Sequence, residues 1–176
     1  MRTPNKCYAY IESLTSQESN LKQLSREKAN ELGLENISLS KTEAQILQFF
    51  LAQLNPLKKV VEIGTLTGLS ALCLLEAMPE EACLWTIEKS DKHAQHAREV
   101  LRSYIEKNRC ILVEGDAREK LKEISIDGPF DAVFIDGNKA AYLDYFEWAL
   151  VNTRVGGIIG IDNIFLSGAV WGDTEA

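Results

Sequence analysis

The sequence is poor in the residues that build zinc and disulfide sites. Its two histidines, His93 and His96, stand three apart in a charge-rich stretch with no further ligands at zinc spacing, so a solvated helix face is expected there. The four cysteines, Cys7, Cys73, Cys83 and Cys110, form no C-x-x-C pair. The last three lie among apolar residues, where a thiol behaves as a small hydrophobe, and are expected to be buried and structural. No apolar run approaches the roughly 20 residues that span a bilayer. The first ten residues hold no hydrophobic stretch of signal-peptide type, and a soluble, cytoplasmic domain is expected. Basic residues are the minority as well, 19 Lys+Arg against 26 Asp+Glu, for a net charge of −7. Bulk charge therefore weighs against nucleic acid and anionic membranes as partners, leaving only a local basic patch open.

What remains is ordinary globular material: 176 residues, 45% hydrophobic and 26% charged, enough for one domain and too little for two of usual size. Residues 1–55 read as helical. The stretch 19–34 mixes Leu21, Leu24 and Leu32 with charges and stops at Gly33. Ser40-Lys41-Thr42-Glu43 is a capping box, followed by Ala44, Leu47, Phe50, Leu51 and Leu54 in a helical stripe that is expected to be core. From residue 59 the pattern changes to short apolar runs, 60–63, 84–87, 111–113, 132–135 and 158–161, separated by the helical stretches 69–77, 91–108, 117–123 and 139–152. Runs so continuously apolar fit parallel strands covered on both faces. Repeated strand–helix units predict an α/β open sheet over 59–163, with every strand ending on one edge, where such folds bind ligands. Residues 164–176 are left as a tail.

Each run carries a carboxylate at or just past its end: Glu62, Glu88, Asp116, Asp136 and Asp162. Asp suits turns and helix caps, which alone could account for Asp116. All five on one edge would repel one another unless cationic or hydrogen-bonding ligands met them. After the first run comes Glu62-Ile63-Gly64-Thr65-Leu66-Thr67-Gly68-Leu69-Ser70, a glycine loop that is neither G-x-G-x-x-G nor G-x-x-x-x-G-K-[ST]. A loop without a phosphate-binding signature suits a nucleoside ligand that carries no phosphate. Glu88 stands where an acid accepts both hydroxyls of a ribose, and Asp116-Ala117 where an adenine could be positioned. S-adenosylmethionine has an adenine, a ribose and an ammonium group to meet Glu62, and has no phosphate.

Three separated motifs carry a resemblance. Val60-Val61-Glu62-Ile63-Gly64-Thr65 with Gly68 and Ser70, then Phe134-Ile135-Asp136-Gly137-Asn138-Lys139-Ala140-Ala141-Tyr142, then Ile161-Asp162-Asn163, make the chain similar to the cation-dependent class I O-methyltransferases, the caffeoyl-coenzyme A and catechol O-methyltransferases and their bacterial relatives. The resemblance extends over roughly 37–172. It implies a Rossmann-like sheet with helices on both faces and N-terminal helices added. It implies S-adenosylmethionine contacts from Glu62, Gly64, Thr65, Ser70, Glu88, Asp116 and Ala117, with the linker 37–40 near the methionine end. Asp136, Asp162 and Asn163 are implied ligands of Mg²⁺, or of another divalent cation such as Mn²⁺ or Ca²⁺, and as a hard all-oxygen set they suit such an ion. Lys139 matches the family's catalytic lysine, beside Asp136. Close to a cation its pKa is expected to fall, letting it take a proton from the acceptor hydroxyl. Tyr142 either lines the site or packs beneath it.

The implied acceptor is a small hydroxylated aromatic with two adjacent oxygens, and the implied assembly a homodimer. Two other readings stay open: methyl transfer to a hydroxylated uridine of transfer RNA, and a non-catalytic S-adenosylmethionine-binding protein. The sequence departs from the family at Leu69, where many relatives have an aromatic residue, and at its end. The chain stops at Ala176, with room over 165–172 for a loop or short helix but not for the closing β-hairpin. A truncated form of a longer protein is therefore expected, with part of the substrate pocket missing.

Overall fold

The computed structural model describes residues 10, 13–14, 18–34 and 37–165; Cys7 and most of the expected loop over 165–172 lie outside these residues. Helix α1 (Asn20–Glu31) is capped by Ser19, whose side chain accepts from the Lys22 backbone N–H. Helix α2 (Lys41–Leu51) opens with the expected capping box: Ser40 accepts from the Glu43 N–H at 3.2 Å, and the Glu43 carboxylate accepts from the Ser40 N–H at 2.9 Å. Then follow β1 (Lys59–Ile63), α3 (Leu69–Ala77), β2 (Cys83–Glu88), α4 (Asp91–Val100), the short α5 (Arg102–Glu106), β3 (Cys110–Glu114), α6 (Ala117–Ile124), β4 (Phe130–Ile135), α7 (Tyr142–Asn152) and β5 (Thr153–Ile161).

The five strands are all parallel, in the order β3-β2-β1-β4-β5. The chain winds from β1 outward to β3, then returns to β4 on the other side of β1, so the winding direction reverses between β1 and β4. That switch opens a crevice at the carboxyl ends of the two strands. Alternation along β1 divides the core: Val60 packs with Leu72, Leu75 and Leu101 on one face, and Val61 and Ile63 with Ile87, Phe130 and Tyr145 on the other.

Several expectations need correction. Only β1, β2 and β4 are covered on both faces; β3 and β5 are the edges, and Val155 on β5 is fully exposed. Being apolar throughout is therefore not sufficient to place a strand centrally. The stretch 91–108 breaks at Leu101 into two helices, and Lys139–Ala141 forms a 3₁₀ turn before α7 begins. In the α2 stripe Ala44 and Leu51 are buried, but Phe50 is 51% exposed. Cys73 and Cys110 are buried as expected, while Cys83 is only half-buried. No helix among the described residues is long and apolar enough to cross a membrane.

The edge of the sheet remote from the crevice is held by one buried carboxylate. Asp131 accepts from the backbone N–H groups of Lys58 (2.7 Å) and Lys59 (2.8 Å) and from Arg154 Nε (2.5 Å), joining the entries of β1, β4 and β5. Burial pushes its pKa up, but the Arg154 hydrogen bond and the two amide donors outweigh that and hold it below the ordinary aspartate value. Asp131→Ala strands three donors and is expected to cost about 3 kcal/mol at neutral pH. A depressed folded-state pKa gives stability that is present above the unfolded pKa of about 3.9 and lost as pH falls through the folded value. Urea denaturation of both proteins along a falling pH series checks this: the gap should close in acid, and a gap independent of pH would refute the assignment.

Candidate active site

The crevice holds a cavity of about 350 Å³. Its floor is the loop joining β1 to α3. Gly64 (φ +100°) and Gly68 (φ +92°) take backbone conformations that other residues rarely adopt, and the Gly68 N–H closes a turn on the Thr65 carbonyl at 2.8 Å. Leu66 between them also has positive φ (+50°). Its amide is held by Glu88 Oε2 at 2.8 Å, while Glu88 Oε1 accepts from the Ser90 N–H at 2.8 Å. Each carboxylate oxygen keeps a further lone pair for a ligand hydroxyl. His93 Nδ1 lies 3.5 Å from Glu88 Oε1 on a part-exposed helix face.

Of the seven expected cofactor residues, Gly64, Thr65, Ser70, Glu88 and Ala117 line the cavity. Glu62 does not: it is 0% exposed, beneath the loop. The reason lies in strand parity, because residues two apart share a face and Val60 belongs to the core layer under α3. Desolvation pushes the Glu62 carboxyl up to about 8, against the hydroxyls that favour its charged form. Thr86 donates to its Oε2 at 2.5 Å, and Thr65 Oγ1 sits 2.5 Å from Thr86 Oγ1, so the acid anchors the loop through two hydroxyls. Asp116 likewise does not line the cavity. It caps α6 by accepting from the Arg118 N–H at 3.0 Å and pairs with Lys89 at 2.8 Å, and the cavity is lined instead by its neighbours Gly115 and Ala117.

The opposite wall is formed where β4 and β5 end side by side. Ile135 pairs with Ile161, and the Asp162 N–H donates to the Ile135 carbonyl at 3.0 Å, so Asp136 and Asp162 follow adjacent strand ends. Asp136, Lys139 and Asn163 line the cavity; Asp162 accepts the Asn163 N–H on Oδ1 at 2.7 Å. Lys139 Nζ donates to Asp136 Oδ1 at 2.7 Å and to the Tyr142 hydroxyl, which in turn donates to the Asp162 carbonyl at 3.0 Å. Tyr142 thus ties Lys139 to the end of β5. Burial raises the Asp136 pKa and Asp162 adds to it, while Lys139 opposes both. Desolvation pulls the Lys139 pKa down, but Asp136 and Tyr142 outweigh that and hold it above the ordinary lysine value.

Ile37, Ser38 and Leu39 of the linker also line the cavity, as do Lys89, Gly137 and Tyr145, which sequence reasoning did not single out. The i, i+3 spacing of Tyr142 and Tyr145 on one helix was the available signal for the last of these. Asp136, Asp162 and the Asn163 amide oxygen form a hard-oxygen set that can hold a divalent cation. Burial is the main cause of the raised Asp136 pKa, and the smaller repulsion from Asp162 is what such an ion would relieve.

A parallel doubly wound sheet with a glycine loop after β1, an acid ending β2 and a cavity at the switch point defines a class of α/β domain that binds a nucleoside-containing ligand at its strand ends. A family model described as O-methyltransferase matches residues 11–176, and the chain belongs to that family. It is 34% identical over 163 residues to the catechol O-methyltransferase of Niastella koreensis, an alignment covering 92% of this chain and 73% of that protein. Against the catechol O-methyltransferase of Mycobacterium tuberculosis it is 34% identical over 118 residues, 67% of this chain and 53% of the relative. The crystal structure of the O-methyltransferase TomG from Streptomyces achromogenes, in complex with SAM, superposes with a TM-score of 0.88 at 29% identity, covering 97% of this chain and 77% of that one. The chain thus spans about half to three quarters of the length of these proteins.

Proposed function

We propose that the chain transfers a methyl group from S-adenosylmethionine to a hydroxyl of a small aromatic acceptor bearing two adjacent oxygens, with a divalent cation at Asp136, Asp162 and Asn163. The observation that carries this reading is that Lys139, Asp136 and Asn163 share one cavity with the glycine loop and Glu88. In this reading Glu88 accepts the ribose hydroxyls, the amides around Gly115 and Ala117 meet the adenine, and the linker 37–39 closes over the methionine end. A cation held by Asp136, Asp162 and Asn163 would lower the pKa of the acceptor hydroxyl and compete with Lys139 for the Asp136 carboxylate. After giving up its own proton to solvent, the neutral Lys139 amine takes the hydroxyl proton on Nζ. The acceptor oxygen then takes the methyl group as the sulfur–carbon bond breaks, leaving S-adenosylhomocysteine. Tyr142 keeps Lys139 aimed at that oxygen, and positioning supplies much of the acceleration. The SAM-bound crystal structure of a relative and the catechol O-methyltransferase names of two others support the cofactor and the acceptor class. A cytoplasmic homodimer completes the proposal; the unpaired Cys73, Cys83 and Cys110 agree with a reducing compartment.

The test is methyl transfer to a panel of vicinal dihydroxy aromatics with S-adenosylmethionine and Mg²⁺, with and without EDTA. Methylated product with Mg²⁺, abolished by the chelator, is the expected result. Turnover that survives EDTA would overturn the cation's role, and no turnover on any vicinal acceptor would overturn the acceptor class.

A further inference from the structure

Neighbouring residues of α1 reach the two sides of the cofactor cleft without lining it. Ser25 is 0% exposed, and its Oγ lies 3.0 Å from both the carbonyl and the hydroxyl of Thr67, itself 0% exposed and part of the glycine loop. Arg26 donates through Nη2 to the Leu39 carbonyl at 3.1 Å, in the linker that forms the facing wall. The guanidinium is fixed from behind by Glu18, which accepts from Nε at 2.8 Å and Nη2 at 2.7 Å. The Arg26 hydrogen bond and charge hold the Glu18 carboxyl below its ordinary pKa. Helix α1 is in turn tied to the helices beneath: Lys22 pairs with Glu76 of α3 at 2.6 Å, and Lys28 with Glu99 of α4 at 3.5 Å.

We propose that α1 is a clamp for the cofactor site, in which Ser25 and Arg26 are positioning residues that fix the spacing between the glycine loop and the linker, and so set affinity for S-adenosylmethionine. A buried hydroxyl bonded to both the backbone and the side chain of one loop residue fixes that loop's height. A bidentate arginine carrying a third bond to the linker carbonyl fixes the opposite wall. Leu39 and Leu69 line both the cofactor cavity and a second, polar cavity of about 300 Å³ bounded by Lys22 and Arg26, so Arg26 bears directly on the wall between the two. Neither residue touches the acceptor side at Asp136, Lys139 and Asn163. The clamp therefore acts on the cofactor and not on the acceptor.

The inference rests on the proposed cofactor, and calorimetric titration of the protein with S-adenosylmethionine separates the two. No binding by the unaltered chain would overturn the cofactor reading itself. Given binding, Ser25→Ala and Arg26→Gln are each expected to weaken it roughly tenfold, the loss of about one or two hydrogen bonds. In turnover KM for S-adenosylmethionine should rise in proportion, while kcat and KM for the acceptor stay put, a split that general destabilisation would not produce. Adding Thr67→Ala to Ser25→Ala should cost little more, because the pair acts as one unit. If Ser25→Ala fails to fold, the part-exposed Arg26→Gln decides. Unchanged cofactor affinity in the folded variants, or equal losses for cofactor and acceptor, would overturn the clamp.

Discussion

Lys139→Ala is expected to lower kcat for methyl transfer by about two to four orders of magnitude, the range for losing a positioned general base. The residue has the right place for that role: in the 3₁₀ turn between β4 and α7, lining the cavity, with its Nζ held between Asp136 and the Tyr142 hydroxyl. Its ammonium is part-exposed, so the truncation should leave the fold intact and S-adenosylmethionine affinity close to that of the unaltered chain. Lys139→Arg is the discriminating companion. Arginine preserves the positive charge and the pairing with Asp136 but does not deprotonate in proteins. If Lys139 serves as a base, the arginine variant should be as inactive as the alanine one. Substantial turnover by Lys139→Arg would show that only the charge matters and would overturn the proton-transfer role.

Gly64→Ala is expected to destabilise the fold by about 3 kcal/mol or more, a large effect for one methyl group. A Cβ at this position would stand 2.3 Å from the Asp136 carbonyl oxygen and 2.8 Å from its carbon, both backbone atoms that cannot swing aside. The φ of +100° adds conformational strain. Relief requires β1 and β4 to part at their carboxyl ends, which is where the glycine loop meets the residues that bear the chemistry. The melting temperature should therefore fall by about 6–12 °C, and S-adenosylmethionine binding should be lost with it. Gly33→Ala is the control. Its φ is also positive (+70°), but nothing lies within 4 Å of the added methyl, so only the conformational cost of about 1 kcal/mol should appear. Equal melting curves for the two variants would show that the close approach at Gly64 has no energetic weight.

The placement of the strand-end residues was legible because strand ends are local features. An apolar run followed by glycine or aspartate marks its own carboxyl end, and parallel winding then brings those ends to one edge, as Asp136, Asp162 and the glycine loop show. The capping box at Ser40 and Glu43 was legible for the same reason, since all its partners lie within four residues. Side-chain direction was less so. Glu62 lies under α3 by its strand parity with Val60, a direction that the same parity, applied to the sequence, also gives. Asp116 was open to either role, and in the structure it caps α6.

By itself, then, the amino-acid sequence determined the alternation of strands and helices, the edge on which the carboxylates gather and the family's three motifs, because each depends on residues a few positions apart. Only the tertiary structure decided which acids face the cleft, and how Ser25, Arg26 and Asp131 hold distant segments together. Those outcomes depend on contacts between residues tens of positions apart, such as Ser25 with Thr67 and Lys58 with Asp131. Neither hydrophobic periodicity nor turn chemistry encodes such pairings, since a buried polar group is satisfied by whichever partner the packing brings within reach.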